Sequence, residues 1–238
     1  MENKLYKSIY QRKSCRKYHM QPLSQEKIDE IDEKISTFDT LYPDVSLSHR
    51  FIQKGKGIFH VQAPHYLIIE GKGEKGELEA AGFLYEQLVL WFNTVSVGCV
   101  WLGMTKDPDS KQKGNDIITI GFGIAAESNR REVSEFKRKP IAEITNAPTD
   151  VCIEAARLAP SGVNIQPWYF EKQGEEIFLY QKKLGLPLSL AYKLSDLDMG
   201  IALCHYALAC EEKGFAFSFT RDNSLPVKSG YNSFGIIR

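Results

Sequence analysis

Four basic side chains, Arg12, Lys13, Arg16 and Lys17, fall within six residues and flank Ser14, with no acidic residue among them. Guanidinium forks match phosphate oxygens in pairs and a serine hydroxyl adds a donor, so this segment reads as an anion site. Taken alone it also fits a solvated helix end, where Lys and Arg meet the negative end of the dipole. A second chemical cluster is APSGVNIQPW, residues 159–168, in which Ser161, Asn164 and Gln166 crowd between Pro160 and Pro167. Asn and Gln present paired donor and acceptor edges, suited to a planar heterocycle with imide and carbonyl groups. Taken alone, that stretch is also an ordinary helix-to-strand turn. Ser161 lacks the G-x-S-x-G elbow of a serine hydrolase.

Other candidates carry less. Gly71-Lys-Gly73-Glu-Lys-Gly76 has the form of a dinucleotide fingerprint after an apolar run and before a long helix. Such a unit needs an acidic residue about 20 positions on, and residues 95–103, VSVGCVWLG, have none. Its loop is charged and reads as a solvated turn. His19, His49, His60, His65 and His205 show no metal-ligand spacing, so no metal is expected. Ser, Cys and His form no nucleophilic set either.

These clusters must be positioned by regular elements. Leu5 and Ile9 mark a short opening helix, and Ser24 caps a second with Ile28, Ile31 and Ile35 on one stripe. Residues 38–60 have no clean period and read as irregular. His65–Glu70 is a strand, 78–97 a buried helix, and 99–102 and 117–122 are strands. The charged stretch 127–140, ending in Pro140, reads as a seam, with Thr149 or Asp150 capping the next helix. Residues 168–172 and Glu176–Lys182 form a hairpin. Ser195 or Asp196 caps a long helix that Gly214 stops, and 215–221 alternates as a strand. The tail from Asp222 onward shows no pattern. Two halves, 1–145 and 146–238, share an order of strand or hairpin, long helix closing at a glycine, then strand. The expected fold is α+β, with helices packed on mixed or antiparallel sheets and two pseudo-repeat halves in one chain.

Of 238 residues, 43% are hydrophobic and 25% charged, a globular profile. Lys plus Arg (30) equals Asp plus Glu (30), so no global field favours nucleic acid or an anionic membrane. Five scattered cysteines without a CxxC pair argue for reduced thiols. No apolar run approaches the roughly 18 residues of a membrane span, and the first 15 residues lack the apolar core of a signal peptide. A cytoplasmic protein without nucleic-acid or membrane partners is expected.

Together, RKSCRKY near the start, the helix running into VGCVWLGM, FKRKPIAEI, and AARLAPSGVNIQPWYF resemble the nitroreductase family of FMN-dependent oxidoreductases. The order differs from the common family, where the A-P-S turn follows the basic segment by a few tens of residues. Ordinary members are homodimers whose flavin sites combine the basic segment of one subunit with the A-P-S turn of the other. This chain resembles an internally duplicated branch whose halves mimic those subunits, which leaves open both a monomer and a swapped dimer. The resemblance implies that Arg12, Ser14 and Arg16 hold the FMN phosphate and ribityl chain, with Lys13 an added contact and Arg138 closing over the phosphate. It implies that Pro160, Ser161 and Asn164 cover the ring and that Leu102 and Gly103 set a backbone N–H against flavin N5. No side chain is expected as acid or base. The implied activity is two-electron transfer from NAD(P)H through FMN to a nitroaromatic, a quinone or a similar small molecule. The alternative is a non-catalytic protein that stores or senses FMN.

Overall fold

The computed structural model describes residues 3–58, 60–109, 115–186 and 192–238. Asn3 caps α1 (Lys4–Ile9) by accepting the Leu5 and Tyr6 N–H groups. Ser24 caps α2 (Gln25–Ile35), and Ile28, Ile31 and Ile35 are its buried stripe, as the 3.6 period requires.

The first sheet has the order β1 (Ser48–Ile52), β3 (His65–Glu70), β6 (Asp116–Ile124), β4 (Val97–Leu102), with every pairing antiparallel. β3 reads as a continuous apolar run because both its faces are covered. Leu67 and Ile69 join the main core, while Tyr66 joins a smaller cluster with Cys15, Tyr18, Ala63, Val100 and Leu102. Two short strands, β2 (Lys56–Gly57) and β5 (Thr105–Lys106), pair beside it. The second sheet has the order β7 (Trp168–Gln173), β8 (Glu176–Lys182), β10 (Tyr231–Ile237), β9 (Phe219–Arg221), again antiparallel.

Two long helices lie between the sheets' apolar faces: α3 (Glu77–Thr94) and α5 (Ser195–Lys213). They cross at glycines. A Cβ on Gly82 would stand 2.1 Å from the Leu197 carbonyl oxygen, and one on Gly200 would stand 2.0 Å from that of Glu79. Only hydrogen at both positions lets the backbones approach this closely. The short α4 (Val151–Arg157) is capped by Asp150, which accepts the Cys152 and Ile153 N–H groups, and it also packs on α5.

Several expectations need correction. Residues 38–60 contain β1, whose sequence SHRFI does not alternate because it is a half-buried edge strand. The tail contains β10, an interior strand of the second sheet. The strand expected over 215–221 is confined to Phe219–Arg221. Neither Ser195 nor Asp196 caps α5; the helix starts after Leu194 without a side-chain cap. In the Gly-rich loop, the Glu77 carboxylate accepts the Lys72 N–H and, at 2.9 Å, that of Gly73. A side chain of α3 thus takes the amides that a phosphate would need, and the adjoining sheet is antiparallel.

Candidate functional site

The basic segment is placed by backbone pairing and two buried anchors. Arg12 and Tyr18 form antiparallel bridges with Arg130 and Ala125. Between them the Lys13 N–H donates to the Asn129 carbonyl and the Cys15 N–H to that of Cys99, both at 2.9 Å. Cys15 is wholly buried against Gly98, where a Cβ would meet its sulfur at 2.7 Å. The Tyr18 hydroxyl donates to the Cys15 carbonyl at 2.7 Å. Side chains of an extended run alternate, so Arg12, Ser14 and Arg16 share a side while Lys13 and Cys15 turn away. Arg12 Nη2 donates to Ser14 Oγ at 3.1 Å.

Ser14 and Arg16 open onto a cleft whose opposite walls come from far along the chain: Trp101 and Gly103, the turn at 160–163, and Tyr192, Leu194 and Asp198 leading into α5. Its volume of about 160 Å³ is below the roughly 300–1,000 Å³ of sites that enclose a drug-sized ligand. A site this open suits a ligand with one face in the cleft and the other toward solvent. Val163, 81% exposed, stands at its mouth.

Behind Ser14 and the turn, three arginines gather without an ion pair among the described residues. Arg12 is only 4% exposed. Arg131 donates from Nε to the Arg12 carbonyl at 3.0 Å, and Phe136 lies under both the Arg131 and the Arg138 guanidinium, 3.6 and 5.6 Å from its ring centre. Arg138 reaches the Asn164 side-chain oxygen at 2.9 Å and the Leu158 carbonyl at 3.1 Å. Burial, then Arg12, then Arg131 lower the pKa of Arg138 against an opposing pull from Glu86; burial and Arg12 lower that of Arg131 against Glu135. Among the described residues the ion pairs lie elsewhere, on Arg50, Arg157, Arg221, Arg238, His49, His205 and several lysines. Buried charges are costly unless paired. This group therefore has the electrostatics that suit an anion.

The turn itself is strained. Val163, Asn164 and Gln166 have φ of 45°, 58° and 48°, a region that costs L-residues, most of all β-branched ones. Neighbours hold it there. The Asn164 side-chain amide donates to the Lys137 carbonyl at 2.8 Å, the Lys139 N–H donates to the Gln166 side chain at 2.8 Å, and Ser161 Oγ accepts the Gln166 N–H at 2.9 Å. Residues 137–139 of the charged stretch thus clamp the turn.

Beneath the cleft floor, the Trp101 indole N–H donates to Glu86 Oε2 at 2.9 Å, and Glu86 Oε1 lies 3.1 Å from His205 Nε2, with Glu86 and His205 fully buried. His205 Nδ1 lies 3.1 Å from the Ala155 carbonyl, which fixes that nitrogen as a donor.

Residues 4–210 match the family model described as "Putative TM nitroreductase". The chain belongs to this nitroreductase family. A solved nitroreductase structure from Thermotoga maritima is similar over 100% of this chain and 93% of its own, with 19% identity and a TM-score of 0.69, which shows a shared fold. Smaller proteins overlap about half of the chain. A nitroreductase family protein from Clostridium difficile 630 aligns with 60% of this chain and 96% of its own, at 16% identity and a TM-score of 0.47. An FMN-dependent nitroreductase from Clostridium difficile R20291 aligns with 56% and 93%, at 17% and 0.43. No curated protein matches the chain.

In this nitroreductase, the residues singled out from sequence fall into three groups. Ser14, Arg16, Gly103, Pro160 and Ser161 line the cleft. Arg12 stands one bond behind Ser14, and Arg138 and Asn164 bond each other across the back of the turn. Lys13 and the Leu102 side chain are elsewhere. Lys13 borders a separate cavity of about 10 Å³ that Arg12, Asn93 and Asn129 also line, and Leu102 packs against Cys15, Tyr18 and Tyr66. Sequence reasoning missed Arg131, Trp101, Tyr192 and Asp198. Arg131 was visible in the run NRREVSEFKRKP, whose basic residues outnumber its acids.

Proposed function

We propose that this family member binds one FMN in the cleft and works as an oxidoreductase, passing two electrons from NADH or NADPH to a small acceptor such as a quinone or nitroaromatic. One observation carries the reading: the guanidinium groups of Arg12, which is buried, and of Arg131 and Arg138, which are partly buried, lie together beside the Ser14 hydroxyl with no ion pair to a carboxylate among the described residues. A terminal phosphate supplies the missing charge, and arginine forks bind it in pairs. Arg138 Nε is buried without a partner among the described residues, a donor that a phosphate oxygen would satisfy.

The bound flavin supplies the two-electron chemistry, and the protein supplies position and electrostatics. Arg12, Ser14, Arg16 and Arg138 hold the phosphate and the adjoining chain, and Arg131 buttresses Arg12. Pro160, Ser161 and Asn164 present a stiff wall to the ring, since their turn is clamped by 137–139. The backbone at Leu102 and Gly103, at the end of β4, is our candidate for the N–H that meets N5. The two sheet-and-helix units would then stand for the two subunits of an ordinary dimer, with one complete site between them and a monomer sufficient.

Identification of the heat-released cofactor tests this, followed by anaerobic addition of NADH or NADPH and then of a quinone. The reading predicts FMN, loss of its yellow absorbance with a reduced nicotinamide, and recovery with the quinone. Recovering FAD or no flavin contradicts the binding reading. FMN that neither nicotinamide bleaches contradicts turnover.

A further inference from the structure

Asp198 lies in the first turn of α5 and is 1% exposed, yet it borders the cleft. Its Oδ1 accepts the Gly162 N–H at 3.0 Å and its Oδ2 lies 2.7 Å from the Tyr192 hydroxyl. Both partners are neutral. Burial pushes the Asp198 carboxyl up to about 8, against which the two hydrogen bonds pull it down. Burial and Asp198 push the Tyr192 phenol up as well, so its proton stays on. Both bonds are donated to the carboxyl, one by the Gly162 N–H and one by the Tyr192 hydroxyl, whose oxygen in turn lies 3.2 Å from the same Gly162 N–H.

Several other charged or titratable groups sit on the elements packed around Asp198. They are Arg16 across the cleft, Glu79 and Glu86 on α3, Arg138 and Lys139 behind the turn, and Lys193, Asp196 and His205 along its own stretch of chain. Tyr192 is hydrogen-bonded to it. The partner of Oδ1 is the first residue of the strained turn. Residues in such φ regions are strained and persist where the surroundings over-determine them. Lys137, Arg138 and Lys139 grip the turn from outside; Asp198 grips it from within the cleft.

We propose that Asp198, paired with Tyr192, is a positioning residue of this site: the neutral pair fixes the turn against the bound ring and keeps the inner wall uncharged, and loss of its proton weakens FMN binding. This rests on the FMN reading above. A carboxylate formed there would stand beside an electron-rich ring in a low-dielectric pocket, where charge interactions are strong.

The test has two measurements on the full chain. The first follows the Asp198 carboxyl by 13C NMR from pH 4 to 10, with its signal assigned from Asp198→Asn. Titration above pH 7 is expected, moving higher in Tyr192→Phe, which loses a bond that favours the charged form. Titration in the ordinary carboxylate range overturns the proposal. The second measures FMN affinity between pH 6.5 and 9. Wild-type protein should weaken about tenfold and Asp198→Asn by less than about twofold, a difference of at least about 1 kcal/mol. Tyr192→Phe, should the first variant not fold, should lose affinity only at higher pH than wild type. The same pH dependence in all three overturns the proposal while leaving FMN binding intact. No FMN binding at any pH overturns the functional reading and this proposal together.

Discussion

Each side chain at the phosphate end of the cleft has a separable role. Arg16 is exposed and touches the cleft directly, whereas Arg12 is buried behind Ser14. Replacing either with alanine should weaken FMN binding by about 1.5–3 kcal/mol, the range for a hydrogen bond to a charged group, as read by flavin fluorescence. Arg12→Ala should also stabilise the flavin-free protein against urea, since it removes a buried charge that lacks a counter-ion. Loss of both affinity and stability would mean that Arg12 serves the fold instead. Asp198 sets a pH dependence of stability. Its folded pKa lies above the unfolded value, so the folded form binds the extra proton. Its favourable contribution is fully present below about pH 4 and is lost as pH rises toward 8, at up to about 1.4 kcal/mol per pH unit. The stability difference between wild type and Asp198→Asn should therefore shift in favour of the variant across that window. A constant difference from pH 4 to 8, measured by urea denaturation, contradicts the assignment.

At the scale of elements, the crossing of α3 and α5 carries the site. Gly82 meets the Leu197 carbonyl, one residue from Asp198. Gly82→Ala cannot be absorbed by a side-chain rotation, because the obstructing atom is backbone. It should cost about 1–3 kcal/mol, the usual range for overpacking, and lower FMN affinity as α5 shifts. Unfolding at unchanged urea concentration would show that the helices separate freely. The elements also explain what the sequence could disclose. Strands and helices with apolar periods, such as β3, α2 and the β7–β8 hairpin, were legible because one face or both is buried. β1 and β10 were not: one is a half-buried edge, and the other follows a long polar stretch and is fixed by partners distant in the chain. The same logic holds within the site. Arg12, Ser14 and Arg16 announce themselves by clustering, whereas Asp198 reads as an ordinary acid in a helix's first turn. Only the fold brings it to Gly162 and buries it.

For the whole molecule, the main consequence is that the site needs residues from both ends of one chain. Ser14 and Arg16 come from the N-terminal segment, Trp101 and Gly103 from the first sheet, and the turn and Asp198 from beyond residue 150. The order that seemed displaced in sequence is resolved in space, since β4, the basic segment and the turn converge on one cleft. The most direct test is titration of flavin-free protein with FMN, with its mass in solution measured in the same samples. The account predicts one FMN per chain, bound by a monomer, with affinity lost in Arg16→Ala. Two flavins per chain, or binding only by a dimer, would contradict it.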